Sequence, residues 1–212
     1  MAAELIAATS AGCERAAEVI SAGGVVALPT DTFYGLVVDP AQPRALRRLA
    51  RIKDRPSHMP FPLLIGKLSQ LDDLVSSFPV QAQRLAQQWW PGALTLLLPA
   101  APGLPAGMTG GTGVVGLRIA KHPTVALTLV AVARPVTGTS ANRSGDPPPR
   151  TVTAVQAAFK GADDGPDLIV DGGITQALAA STVVDCTHPP SVVVVRQGAI
   201  LEAYIQQIAH AS

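Results

Sequence analysis

The stretch Gly24–Leu36, GVVALPTDTFYGL, constrains the chain more than any other. Val25–Leu28 form a run of four apolar residues, the length of a short buried strand. Pro29 has no N–H to give and stops the ladder there. Two hydroxyls flanking a carboxylate follow (Thr30, Asp31, Thr32), then Phe33, Tyr34 and Gly35. Open α/β sheets commonly present a ligand site where a buried strand ends in small polar groups. The same residues also suit a plain turn, with Asp31 and the threonines bonding to nearby backbone. Taken alone, they leave both readings open.

With 212 residues, one domain over 1–212 is the default and one good core is affordable in length. Only 4% of residues are aromatic against 48% hydrophobic, so Ala, Val, Leu and Ile must fill that core. The net charge is +1, so a general polyanion-binding surface is not demanded and any basic site must come from local clustering. The longest apolar runs, Ala93–Leu98 and Val125–Ala133, are far too short to span a membrane. Glu4 and the lack of an early Lys or Arg argue against a secretory start, and Cys13 and Cys186 are too few for a disulfide framework. A cytoplasmic protein with reduced thiols is expected.

Apolar spacing predicts helices over Cys13–Ala22, from Pro43 onward, over Leu68–Trp90 with a break at Pro79, and over Pro123–Ala133, Val152–Lys160 and Glu202–His210. Strands are expected over Val25–Leu28, Phe61–Ile65, Leu94–Leu98, Val114–Ile119, Pro135–Thr139, Leu168–Asp171, Ser181–Asp185 and Val192–Val195. Ala100–Gly113 reads as a Gly- and Pro-rich loop. Adjacent strands mixed with βα units imply an α/β (α+β) chain: a twisted mixed β-sheet with flanking helices. Seven of the sixteen Lys and Arg residues lie between Arg44 and Lys67, against one acid, Asp54. Such a face is either solvated surface or a phosphate site.

Gly111–Gly116 matches G-x-G-x-x-G, but a loop precedes it and a strand-like segment follows, the wrong order for a dinucleotide site. His58, His122, His188 and His210 are scattered, and no metal centre built from protein side chains is expected. Ser140 lies in Thr-Ser-Ala-Asn rather than in a nucleophile elbow. What accumulates is small polar groups at strand ends (Thr30–Thr32, Thr139–Asn142, Ser181–Thr182) beside the cations Lys53, Arg55, Arg118 and Arg196. Positioned donors and cations are what phosphoryl-type and nucleotidyl transfer need, with little need for a covalent nucleophile.

Seven segments occur in order: PTDTFYGL (Pro29–Leu36), IKDRP (Ile52–Pro56), WWPGALTLLL (Trp89–Leu98), VGLRIAKHP (Val115–Pro123), TSANRSG (Thr139–Gly145), LIVDGG (Leu168–Gly173) and STVVD (Ser181–Asp185). Together they resemble the YrdC-like family, over roughly Ala17–Gly198. The resemblance implies the YrdC-like fold around a concave basic site, in its short single-domain form. It implies synthesis of threonylcarbamoyl-AMP and pyrophosphate from L-threonine, bicarbonate and ATP with Mg²⁺, feeding a downstream tRNA-modifying transferase complex.

By the same resemblance Lys53 and Arg55 face the ATP phosphates, and with Ser140 and Asn142 they form the catalytic set. Thr32, Arg118, Gly138 and Ser181 hold threonine; Thr112, Ser140 and Arg196 join the nucleotide contacts. Arg44, Arg47, Arg48 and Arg51 are left as solvated surface. Met59 and Leu64 stand where relatives often carry polar contacts to phosphate and to threonine. Two alternatives remain beside the synthase: a module binding tRNA or double-stranded RNA, and a paralogue adenylating another carbamate.

Overall fold

The computed structural model describes residues 3–56, 59–162 and 164–211, so His58 lies outside the described residues. In chain order the elements are β1 (Glu4–Ala7), α1 (Ser10–Ser21), β2 (Val26–Leu28), β3 (Gly35–Val37), α2 (Pro43–Ile52), β4 (Leu63–Leu64), α3 (Leu71–Leu74) and α4 (Val80–Trp89). They continue with β5 (Leu94–Pro99), α5 (Ala106–Thr109), β6 (Val114–Arg118), α6 (Pro123–Val132), β7 (Val136–Thr137) and β8 (Thr139–Ser140). The last are α7 (Val152–Ala158), β9 (Leu168–Asp171), β10 (Thr182–Asp185), β11 (Val193–Arg196) and α8 (Glu202–Ala209).

The mixed α/β class is as expected from the sequence, but the strands divide between two sheets. One has five strands in the order β1-β9-β2-β3-β8, the other six in the order β11-β10-β5-β6-β4-β7. Both mix parallel and antiparallel pairs: β2 runs parallel to β9 and antiparallel to β3, and β5 runs parallel to β10 and antiparallel to β6. The segment expected as one strand, Pro135–Thr139, breaks at Gly138. β7 before it belongs to the second sheet and β8 after it to the first. Gly138 is thus a point where the chain passes between sheets, its N–H donating to the Pro62 carbonyl at 2.7 Å.

Local chemistry sets the helix boundaries. Thr9 caps α1 by accepting the Gly12 N–H at 3.1 Å, so α1 begins earlier than its apolar spacing implies. Pro43 opens α2, and Ala45, Leu49 and Ile52 line its buried face. Thr151 caps α7 through the Ala154 N–H.

Val25–Leu28 are fully buried, and Val25, Val26 and Leu28 each contribute about 1.5–3 kcal/mol of apolar transfer. Leu63, Ile65, Leu94, Leu96, Leu98 and Leu117 build one core under the second sheet, with Leu85 of α4 and Ile205 of α8. The first sheet is packed on both faces. α1 and α6 supply Ile20 and Leu129 to one core, while α2 and α7 supply Leu49 and Val155 to another. Cys13 and Cys186 are buried and unpaired. Among the described residues no helix is long and apolar enough to cross a membrane.

Candidate functional site

A cavity of about 380 Å³ opens between the two sheets, lined from both. Its first wall is the β2–β3 hairpin loop. Thr30 Oγ1 accepts the Thr32 N–H at 3.0 Å and donates to the Phe33 carbonyl at 2.7 Å, which closes the turn. With the backbone satisfied by Thr30, Asp31 and Thr32 turn to a partner on the other sheet. Arg118, the last residue of β6, donates from Nη2 to Asp31 Oδ1 at 2.7 Å and from Nη1 to Thr32 Oγ1 at 3.2 Å. Its Nε donates to the Gly92 carbonyl at 2.9 Å, so the guanidinium is held on three sides. The turn reading and the site reading of Thr30–Thr32 therefore both describe this loop.

The second wall comes from β5, β10 and β11. Arg196 Nη2 donates to the Ser181 carbonyl at 2.9 Å and to Ser181 Oγ at 3.1 Å, and Ser181 Oγ lies 2.9 Å from Thr95 Oγ1. Burial, then the charges of Arg118 and Arg55, lowers the pKa of Arg196. Burial also lowers that of Arg55, whose guanidinium sits 5.1 Å from the Phe61 ring centre. Guanidiniums stay charged under such shifts. Three of them line one cavity, and Asp31 is in contact with one. That balance favours an anionic ligand.

The third wall is the Gly138–Ser140 crossover. A Cβ on Gly138 would fall 2.8 Å from Leu64 Cγ, so only glycine lets the backbone approach here. Leu64 is apolar, buried and part of the lining, so it supplies surface rather than a polar contact. Tyr34 is fully buried beside it; its hydroxyl donates to the Gly173 carbonyl at 2.8 Å and accepts the Gly172 N–H at 3.2 Å. Burial raises the Tyr34 pKa, keeping it protonated.

Of the residues singled out in the sequence, Thr32, Arg55, Arg118, Gly138, Ser140, Ser181 and Arg196 line this cavity together. Lys53 and Asn142 stand one layer behind. Lys53 Nζ donates to the Ser140 carbonyl at 2.7 Å, the Asn142 carbonyl at 2.6 Å and Asn142 Oδ1 at 2.9 Å. Three short bonds use all three of its hydrogens. Burial, then the charge of Arg55, brings its pKa from 10.5 down to about 8, with Asp146 opposing. Asn142 Nδ2 gives one of its two hydrogens to the Asp146 carbonyl at 2.5 Å, so both ends of this amide serve the loop.

Thr112 is elsewhere: its hydroxyl donates to the Thr109 carbonyl at 2.6 Å and accepts the Val114 N–H, capping its own turn. The Gly111–Gly116 pattern runs directly into β6, not into a helix. Met59 is exposed. Arg48 is not the solvated residue expected: it pairs with Asp164 at 2.8 Å and Asp167 at 2.5 Å, tying α2 to the start of β9. Sequence reasoning placed Thr30 in the polar strand-end cluster without a role of its own and gave Thr95 none, yet both line the cavity. The signal for Thr95 was a lone hydroxyl in the run LTLLL, which once buried requires a partner. Among the described residues, no three His, Cys, Asp or Glu side chains gather as a metal site.

The Sua5/YciO/YrdC family model, described as Telomere recombination, matches residues 18–198. The threonylcarbamoyl-AMP synthase of Pyrococcus abyssi is 38% identical over 188 residues, 88% of this chain and 54% of that protein. That of Bacillus subtilis is 35% identical over 195 residues, 92% of this chain and 55% of that protein. The chain thus spans about half the length of these curated relatives. The crystal structure of P. abyssi Sua5 complexed with L-threonine is 32% identical with a TM-score of 0.89, over 98% of this chain and 61% of that one. With the family match running over most of the chain and the fold shared, the chain belongs to the Sua5/YciO/YrdC family.

Proposed function

We propose that this chain is an L-threonylcarbamoyladenylate synthase, joining L-threonine, bicarbonate and ATP into threonylcarbamoyl-AMP and pyrophosphate. The observation that carries this reading is that Arg118, held by Asp31 and Thr32, lines one cavity together with Arg55, Arg196 and small hydroxyls. A structure so similar, complexed with L-threonine, supports the amino-acid half.

In this reading Arg118 and Ser181 take the threonine carboxylate, and Thr32 and the Gly138 backbone lie against the rest of the amino acid. Arg55, Arg196 and Ser140 take the triphosphate side, where charge builds as pyrophosphate departs. The threonine nitrogen bonds to the carbon of carbon dioxide supplied by bicarbonate and gives a proton to solvent. A carbamate oxygen then bonds to the α-phosphorus while the bond from that phosphorus to the bridging oxygen breaks and pyrophosphate leaves. Lys53 and Asn142 contribute by fixing Ser140. The lining offers cations and hydroxyls rather than grouped carboxylates, which fits Mg²⁺ carried by the triphosphate itself. When bound there, Mg²⁺ offsets phosphate charge. The product would pass to a tRNA-modifying transferase complex, which places the chain in the cytoplasm.

Pyrophosphate release from ATP, with threonine, bicarbonate and Mg²⁺ omitted in turn, tests the proposal. Release is expected only with all three present; release indifferent to threonine or bicarbonate would overturn it.

A further inference from the structure

We propose that Thr30 is a positioning residue that fixes the polarity of the Thr32 hydroxyl, so that Thr32 meets the cavity as a hydrogen-bond acceptor and takes an N–H of the amino-acid substrate. This rests on the cavity binding an α-amino acid, as argued above.

Counting hydrogens carries the argument. A threonine hydroxyl has one hydrogen and two acceptor positions. Thr30 Oγ1 lies 2.7 Å from the Phe33 carbonyl, which can only accept, so the one Thr30 hydrogen is committed there. Thr30 Oγ1 also lies 2.9 Å from Thr32 Oγ1. With Thr30 already donating elsewhere, Thr32 must be the donor of that bond. Arg118 Nη1 can only donate, and at 3.2 Å it fills one acceptor position of Thr32. One lone pair of Thr32 is then left, on a side chain that lines the cavity and is only 6% exposed. Asp31 holds the far nitrogen of Arg118 at 2.7 Å, which keeps the guanidinium from turning away and releasing Thr32.

The cavity therefore sets guanidinium hydrogens beside a hydroxyl that has none to offer. That pair matches the two ends of an α-amino acid, carboxylate to Arg118 and amine to Thr32. The direction matters for reactivity. A Thr32 hydroxyl free to donate would aim its hydrogen at the nitrogen lone pair, the pair that has to bond to carbon. Held by Thr30, it can only accept from an N–H and leaves that lone pair free.

Calorimetric titration of the full chain with L-threonine and with 3-hydroxybutyrate of matching configuration, which lacks the amine, isolates this contact. Wild type is expected to favour L-threonine by about tenfold or more, the worth of a hydrogen bond to a charged or strongly polar group. Thr30→Val keeps the shape and removes the hydroxyl, and should shrink that preference to about threefold or less. Thr30→Ser should restore the wild-type preference, which a merely space-filling role would not require. A Thr30→Val protein with the wild-type preference would overturn the proposal. So would a wild type that binds both ligands alike, an outcome readable even if Thr30→Val does not fold. Failure of L-threonine to bind wild type at all, with or without ATP and bicarbonate, sinks the synthase reading instead.

Discussion

Replacing Lys53 by methionine separates two roles for the residue: a phosphate contact, as the family resemblance implies, or a clamp behind Ser140, as its three bonds imply. Methionine keeps the volume and removes the donors. The carbonyls of Ser140 and Asn142 and the Asn142 Oδ1 then lose their partner. Each unsatisfied buried acceptor costs about 1–3 kcal/mol. Opposing this, burial disfavours the ammonium, whose pKa falls from 10.5 to about 8. That difference corresponds to about 3 kcal/mol that the methionine variant no longer bears. The net loss of stability near pH 7 is roughly 3 kcal/mol.

The dependence on pH is sharper. Between pH 8 and 10.5 the unfolded lysine still holds its proton while the folded one has lost it. Wild type therefore gains stability as pH rises through that window, by up to about 3 kcal/mol, and the methionine variant does not. Over the same window the neutral amine keeps two hydrogens for three acceptors, the Ser140 loop loosens, and nucleotide affinity falls. Urea unfolding of both proteins from pH 7 to 10, with nucleotide titrations alongside, measures both trends. A stability gap that stays flat over this range refutes the lowered pKa of Lys53, and a methionine variant as stable as wild type near pH 7 refutes the clamp. Full nucleotide affinity and stability in Lys53→Arg refutes it too, because a planar guanidinium cannot meet three acceptors gathered round one nitrogen.

Arg118→Lys should raise the threonine KM by about tenfold to a hundredfold in the pyrophosphate assay, because a lysine cannot serve Asp31, Thr32, Gly92 and a carboxylate together. Gly138→Ala puts a Cβ 2.8 Å from Leu64 Cγ and should cost about 1–3 kcal/mol by denaturant unfolding, with part of the loss recovered in the double variant with Leu64→Ala. Arg48→Ala should cost about 1–3 kcal/mol at neutral pH by breaking its pairs with Asp164 and Asp167. Burial alone would raise the Asp167 pKa, but the hydrogen bonds from Arg48 and Val25 and the Arg48 charge hold it below 3.8. The stability from this pair is therefore present above pH 3.8 and lost as pH falls below it, so wild type and Arg48→Ala should converge in acid.

Elements whose signals are local were legible in the sequence. Pro43 and the stripe through Leu49 and Ile52 place α2, and Pro123 places α6. β1 was not legible, because Glu4–Ala7 is mostly exposed and pairs only with β9 near the other end of the chain. β3 was hidden by its three-residue length behind a polar loop. Seven of the cavity-lining residues were named as candidates in the sequence, but which layer each candidate takes was not legible there. Lys53 and Arg55 stand two apart just past α2, yet one is buried behind the Ser140 loop and the other lines the cavity. The Asp31–Arg118 pair was invisible for a similar reason, since it exists only once the two sheets face each other.

The crossing of the chain between sheets reaches beyond geometry. β1–β3 belong to the first sheet, β4–β7 to the second, β8 and β9 to the first again, and β10 and β11 to the second. No contiguous half of the chain contains either sheet entire. Thr32, Ser140 and Arg196, drawn from the beginning, middle and end of this path, line the same cavity. On the ribosome, a nascent chain cannot complete its ligand site until Arg196 has emerged. A ligand that needs Arg196 can stabilise the fold only after that point, and the completed site reports on the integrity of the whole.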